Sequence, residues 1–349
     1  MLDINVPDLV LRGASGTREN VQIVGTGPME KRVGVALSVS APRVTLADLT
    51  VGRVGFHGVQ VRGEHAADDL VMHNVRVTDT GQQLLKGSRP QEGRGPDRGL
   101  VACCLFDYTE HAPSNYTNGV DVIAGAGWVV RGCVFQRIRG RPEENYSCGP
   151  SVLFWGGCRD SVAEGNLFLD CFRGIAFGLT NAAPRRGSLP LPATDHAGGT
   201  IRRNVICNRN AWADEAIEVN SSPGTLVEHN TVLVQGAVPW SISVRFATAS
   251  ATVRNNLTSQ PLIRRDGGRV LEEAGNIVDA RPEWFIDPDR GVLRLAREDL
   301  PPVDAAVPTD ENRRFAQGRG PDVGAIEYRT TEEVPRPAVE TRPEVDGPR

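Results

Sequence analysis

Apolar and polar residues alternate along this chain in short runs, as in "HGVQVRG", "GVDVIAG", "PSVLFWGG", "AIEVNSS" and "SISVRFA". Strict alternation predicts strands with one buried face; a helix would instead place apolar residues at i, i+3, i+4 and i+7. A second motif recurs between these strands: one small polar residue set just before an apolar pair. It holds Asn166 in "AEGNLFLD", Asn204 in "IRRNVICN", Asn230 in "LVEHNTVLVQG", Asn256 in "VRNNLTSQ" and Asn276 in "EAGNIVDA". Upstream, the same frame predicts Asp48, Asn74, Cys104 and Cys133. The intervals run from 20 to 38 residues, several of them 26, and each period carries two or three strands joined by turns. A loose repeat of this kind signals a solenoid.

An unpartnered buried amide costs about 1–3 kcal/mol, so five asparagines in apolar surroundings need a fold that satisfies them. The chain is therefore expected to be all-β, a right-handed parallel β-helix whose coils stack about 4.8 Å apart. Asparagine tolerates the left-handed backbone of a tight corner. Its amide would then bond the asparagine one coil away, forming a ladder that small cysteines continue.

The solenoid is expected over residues 1–290, a capping segment over 291–328 packed on its C-terminal end, and a disordered tail over 329–349. That tail is proline-rich and charged, with little to bury. The 38 glycines against 5% aromatics fit many short strands and turns. A net charge of −4 provides no basic face for nucleic acid. No apolar run of about 18 residues would span a membrane. The opening "MLDINVPDLVLRG" lacks the charged and apolar regions of a signal peptide. Seven cysteines without CxxC spacing do not suggest zinc; Cys148 and Cys158 would pair only in an oxidising compartment.

The series "LVMHNVRVTDTGQQLLKGS", "YTNGVDVIAGAGWVVRGCVFQRIRG", "SVLFWGGCRDSVAEGNLFLDCFRGIAFG" and "SISVRFATASATVRNNLTSQPLIRRDGG", with the closing "PDVGAIEY", resembles bacterial right-handed parallel β-helix repeat proteins of the pectate-lyase-like superfamily. The resemblance covers roughly residues 3–328. It implies a secreted or periplasmic monomer acting on carbohydrate. It leaves the activity open, since the superfamily holds lyases, hydrolases, epimerases and binding proteins.

Aligning the strands on inward Val59, Leu85, Val120, Val152, Ile175, Ile217 and Ile242 leaves an outward column of Gln60, Lys86, Asp121, Leu153, Ala176, Glu218 and Ser243. The next outward column holds Arg62, Ser88, Ile123, Trp155, Gly178, Asn220 and Arg245, and the turns before the strands carry His57, Asn118, Arg173 and Glu215. A mixed-charge wall beside a tryptophan suits an acidic saccharide. Cleavage by β-elimination needs a cation at the substrate carboxylate, a base for the neighbouring proton and an acid for the leaving oxygen.

Lys86 is the candidate base, with Arg173 and Arg245 neutralising the carboxylate and Trp155 stacking on a sugar. Gln60, Asp121, Glu215, Glu218, Asn220, His57 and His196 are candidate substrate contacts. Arg245 stands out because its column neighbour is the neutral Asn220. Lys86 and Asp121, one coil apart, are equally expected as a plain ion pair, as are Arg173 and Glu215. His111, Tyr116 and His196 are placed in loops that would wall the groove.

No cofactor is expected. Calcium at Asp121, Glu215 and Glu218 is disfavoured, because Asp121 and Glu218 lie three rungs, roughly 14 Å, apart. A hydrolase pair needs roughly 5–9.5 Å, which only Glu215 and Glu218 could meet. The alternatives to a lyase are thus a non-catalytic glycan-binding or surface-structural β-helix and, behind it, a glycoside hydrolase.

Overall fold

Period-two strands that cannot bury both faces alone stack into three long parallel sheets in the computed structural model, which describes residues 1–181 and 194–329. Sheets A and B have ten strands each and sheet C nine; each coil contributes one strand to each sheet, and all their pairings are parallel. The chain is a right-handed parallel β-helix. Among the described residues the only helical pieces are short 3₁₀ turns, and no helix is long and apolar enough to cross a membrane.

The interior is built from files of equivalent side chains. Leu37, Val59, Leu85, Val120, Val152, Ile175, Ile217 and Ile242 form one such file inside sheet A, all buried. Phe106, Phe135 and Phe168 stack along sheet C with ring centroids 5.0 and 4.8 Å apart, the offset geometry that adds to simple area burial.

The polar file is a true ladder. The side-chain amide nitrogen of Asn166 donates to Asn204 Oδ1 at 2.9 Å, Asn204 to Asn230 at 3.0 Å, Asn230 to Asn256 at 2.9 Å and Asn256 to Asn276 at 2.9 Å. Each nitrogen also donates to a backbone carbonyl inside the tube, such as Ala163 O from Asn204 at 2.9 Å. Cys133 and Cys104 extend the file, the Cys133 amide donating to Asn166 Oδ1 at 3.0 Å.

Two expectations about this corner are corrected. The left-handed residue is the one before the ladder position: Cys103, Gly132, Gly165, Arg203, His229, Asn255 and Gly275 have φ between +51° and +64°. Asp48 and Asn74 belong to that preceding file, with φ of +55° and +52°, and bond each other at 2.7 Å. The ladder position in their coils is held by buried Leu49 and Val75. An apolar pair there leaves no amide to satisfy, so the file changes from apolar to polar along the tube.

The last coil strand is Arg269–Ala274. Beyond it the segment expected as a cap runs along sheet C. Phe285, Leu293, Leu295, Leu300 and Val323 bury against Val205, Cys207, Leu233 and Leu257 on the outer face of sheet C. The short strands Phe285–Asp287 and Val292–Leu295 pair antiparallel within this segment. Sheet C carries apolar residues on both faces in its later coils, and covering the outer one is what the segment achieves. Cys148 and Cys158 are both free and buried, so no disulfide joins them. The tail expected to be disordered lies, from residue 330 on, outside the described residues.

Candidate functional site

The outer wall of sheet A has the register expected from the inward file. Lys86 pairs in register with Gln60 on one side and Asp121 on the other. The column continues through Leu153, Ala176, Glu218 and Ser243. Side chains on this outward face are nonetheless mostly buried: Lys86, Asp121, Glu218 and Ser243 are all less than a tenth exposed. Loop residues 115–118 and 147–149 stand beside the sheet. A cavity of about 270 Å³ opens between them, lined by Tyr116, Asn118, Asp121, Leu153, Trp155 and Arg173, near the lower end of ligand-pocket sizes of about 300 Å³ upward.

Its chemistry is set by one buried cluster. Lys86 Nζ lies 2.9 Å from Asp121 Oδ2, and Trp155 Nε1 donates to the other carboxylate oxygen at 2.9 Å. The ammonium also sits 5.8 Å from the Trp155 ring. Trp155 is half-buried rather than fully exposed, and the Lys86 nitrogen itself has no contact with solvent.

Three further carboxylates gather three rungs along. Arg173 Nε donates to Glu218 Oε1 at 2.7 Å, a second guanidinium nitrogen donates to Glu218 Oε2, and Asp214 lies at 3.8 Å. This corrects the expected Arg173–Glu215 pair. Glu215 is taken by Arg265 at 2.5 Å and accepts from the Ser243 hydroxyl. Burial opposes the charge on Arg173, but Glu218 outweighs it and the pKa rises. Burial pushes the Glu215 carboxyl up, and the charge of Glu218 adds to it. Burial likewise raises Asp214 against the pull of Arg173. Asn220 donates its amide to Glu218 at 3.0 Å.

Arg245 is not free of carboxylates: its Nε donates to Asp266 at 2.5 Å, and its guanidinium lies over Phe246. It is also five rungs from Lys86, roughly 24 Å along the tube. Arg245 therefore lies too far along the wall to share one sugar with Lys86, whereas Arg173 lines the same cavity as Asp121.

His196 does not wall a groove. It is buried in a strand, its ring 4.4 Å from Phe177 and its Nδ1 2.9 Å from Ser222 Oγ, and burial pulls its pKa down to about 3. His57 opens the strand His57–Arg62 with Nδ1 3.3 Å from Gln83 O. Burial, with the Lys86 charge beside it, lowers its pKa to about 4. Gln60 is half-buried, and its amide reaches Ser88 Oγ at 3.5 Å. Tyr116 is exposed at the rim.

Sequence reasoning missed Arg265, Asp214 and Trp240, which complete the carboxylate cluster; the Arg265 guanidinium sits 4.8 Å over the Trp240 ring. Extending the outward column by one coil would have found Arg265, since it pairs in register with Arg245. Among the described residues no three histidine, cysteine, aspartate or glutamate side chains converge as a metal site.

No family model matches the chain, and no curated protein matches it. Among solved structures it is similar to pectate lyase Pel9A, with 12% identity and a TM-score of 0.55 over 94% of this chain and 83% of that one. It is also similar to Pedsa3628, a PL6 family polysaccharide lyase from Pseudopedobacter saltans, with 11% identity and a TM-score of 0.49 over 86% and 82%. The surface protein and adhesin PfbA of Streptococcus pneumoniae aligns with 10% identity and a TM-score of 0.39 over 73% and 75%. At these identities the similarity to Pel9A shows the β-helix fold and nothing finer.

Proposed function

We propose that this β-helix is carbohydrate-active: it takes an acidic polysaccharide lengthwise along sheet A and cleaves it by β-elimination at the cleft between Tyr116 and Trp155. The observation that supports this is the convergence, in one cavity, of an aromatic rim, the Asp121 carboxylate and the Arg173 guanidinium. The donors that Glu218 leaves unused on Arg173 hold a substrate carboxylate, while Arg245 meets the chain further along the track.

Lys86 is the base in this reading. A sugar hydroxyl that takes over Asp121 releases Trp155 and uncovers the amine. In the bound complex the proton between the two groups moves to Asp121, leaving a free amine on Lys86. The amine then takes the proton beside the uronate carboxyl. The Asp121 carboxylic acid returns its proton to the leaving glycosidic oxygen as that C–O bond breaks and a C=C bond forms.

A second reading, a non-catalytic glycan-binding β-helix, is favoured by one observation: Lys86 Nζ is covered and each candidate cation already has a carboxylate partner. Digests of uronic-acid polymers separate the readings. Elimination yields unsaturated products that absorb in the ultraviolet, and Lys86→Ala abolishes them. Reducing ends without that absorbance would point to hydrolysis, and binding without any product would establish the second reading.

A further inference from the structure

A second cavity, of about 340 Å³, lies on a different side of the tube, where the C-terminal segment crosses the corner of the coils. Arg203, Arg294, Arg314 and Arg329 line it together with Phe315 and Glu327. Arg203 occupies the left-handed corner file, with φ of +54°, so its side chain stands off the tube. Its guanidinium lies 3.6 Å from the centroid of the Phe315 ring. That stack fixes the plane of the guanidinium and leaves its in-plane N–H donors for a ligand. Many arginines elsewhere are tied to carboxylates, as Arg76 is to Asp107 at 2.7 Å and Arg254 to Glu228 at 2.8 Å. Among the described residues Arg203, Arg294 and Arg314 form no ion pair.

We propose that this cavity is a binding site for the carboxylate of an acidic saccharide, separate from the wall of sheet A. Three unpaired guanidinium groups supply charge-assisted donors in the planar geometry that a carboxylate accepts, and the free edge of Phe315 offers an apolar face to a ring. That the anion is a uronate rests on the reading of sheet A given above; the convergence of the arginines does not. The one carboxylate in the cavity modulates the site. Burial, with Asp322 beside it, pushes Glu327 up to about 7. The charges around it are Asp322, Arg203, Arg294, Arg314 and Arg329, with His229 held nearby against Gly324 O. Below that pH a protonated Glu327 repels no anion and gains a donor; above it the charge opposes binding. Anion affinity therefore rises as pH falls from 8 to 6, and Glu327→Gln flattens that dependence.

The test is calorimetric titration of the full chain with a uronic-acid trisaccharide and with its neutral methyl ester. Trp155→Ala disables the sheet A cleft and serves as the background. Binding of the acid, but not of the ester, persists in that background. Adding R294E and R314E then weakens it about a hundredfold or more, since each lost charged hydrogen bond contributes about 1.5–3 kcal/mol. Unchanged thermal unfolding of these surface variants shows that the fold is intact. The proposal is overturned if the Trp155→Ala chain binds no acid, or if R294E and R314E leave its binding unchanged. Uptake of inorganic sulfate that the trisaccharide does not displace would overturn the saccharide assignment. If instead R294E and R314E abolish all binding while Trp155→Ala binds as the unaltered chain does, the cavity stands and the sheet A reading falls.

Discussion

Lys86 and Asp121, on adjacent rungs of sheet A, meet at 2.9 Å beneath Trp155, with both side chains less than a tenth exposed. Removing one member of such a pair leaves an uncompensated buried charge, at a cost of about 3–5 kcal/mol. Lys86→Met and Asp121→Asn should each lower the urea midpoint strongly. The double variant should lose less than the sum of the two, because neither charge is then stranded. Simple additivity would show that the two groups do not interact.

The ladder predicts a graded response to alanine. Asn204→Ala strips the acceptor from the backbone and side-chain nitrogens of Asn166 and the side-chain donor from Asn230 Oδ1 and Ala163 O. At about 1–3 kcal/mol for each stranded group, the loss should exceed about 3 kcal/mol. Asn276 ends the file and is half-buried, so water replaces part of what Asn276→Ala removes. Equal losses in thermal or urea unfolding would contradict the ladder as the source of stability.

Stability should fall with acidification below neutrality through the buried histidines. Burial holds His196 at about 3 and His57 at about 4 in the folded chain, against about 6.5 unfolded. The unfolded chain therefore takes up protons first. The stabilisation is complete above pH 6.5 and declines below it, by about 1.4 kcal/mol per pH unit for fully buried His196. His196→Phe keeps the ring against Phe177 and should flatten unfolding free energy measured between pH 6.5 and 4. An unchanged slope would remove His196 from the account.

Gly178 sits beside the cleft with φ of +80°, and a Cβ there would lie 1.7 Å from Asn220 O on the next coil. The left-handed conformation alone costs a non-glycine residue about 1–2 kcal/mol, and the clash adds to it. Gly178→Ala should push apart the adjacent rungs carrying Arg173 and Glu218. A drop in melting temperature together with weaker saccharide binding is the expected result; normal stability would mean the rungs yield freely.

Much of this protein is legible in its sequence because a β-helix is nearly one-dimensional. Alternation tells inside from outside, and backbone hydrogen bonding allows coils to pair only at whole-residue registers. The inward file from Val59 to Ile242 thus sufficed to place Lys86 beside Asp121 and Asn220 beside Arg245. The asparagines from Asn166 to Asn276 declared the ladder for the same reason: buried amides need one another. The period was blurred only where the polar file gives way to Leu49 and Val75, leaving Asp48 and Asn74 to mimic it from one residue earlier.

Only the tertiary structure decided where the long side chains end. Register places an arginine's Cα to a single residue, but its guanidinium reaches neighbours on several rungs and takes the carboxylate that packing leaves open. Arg173 thus holds Glu218 and not Glu215, and Arg245 holds Asp266 from beyond its own strand. Burial of His196, cover over Lys86 and the path of the C-terminal segment across sheet C also depend on loops and surfaces far apart in the chain. Local pattern therefore determined the tube and its files, while non-local packing determined which charges on its wall remain available to a ligand.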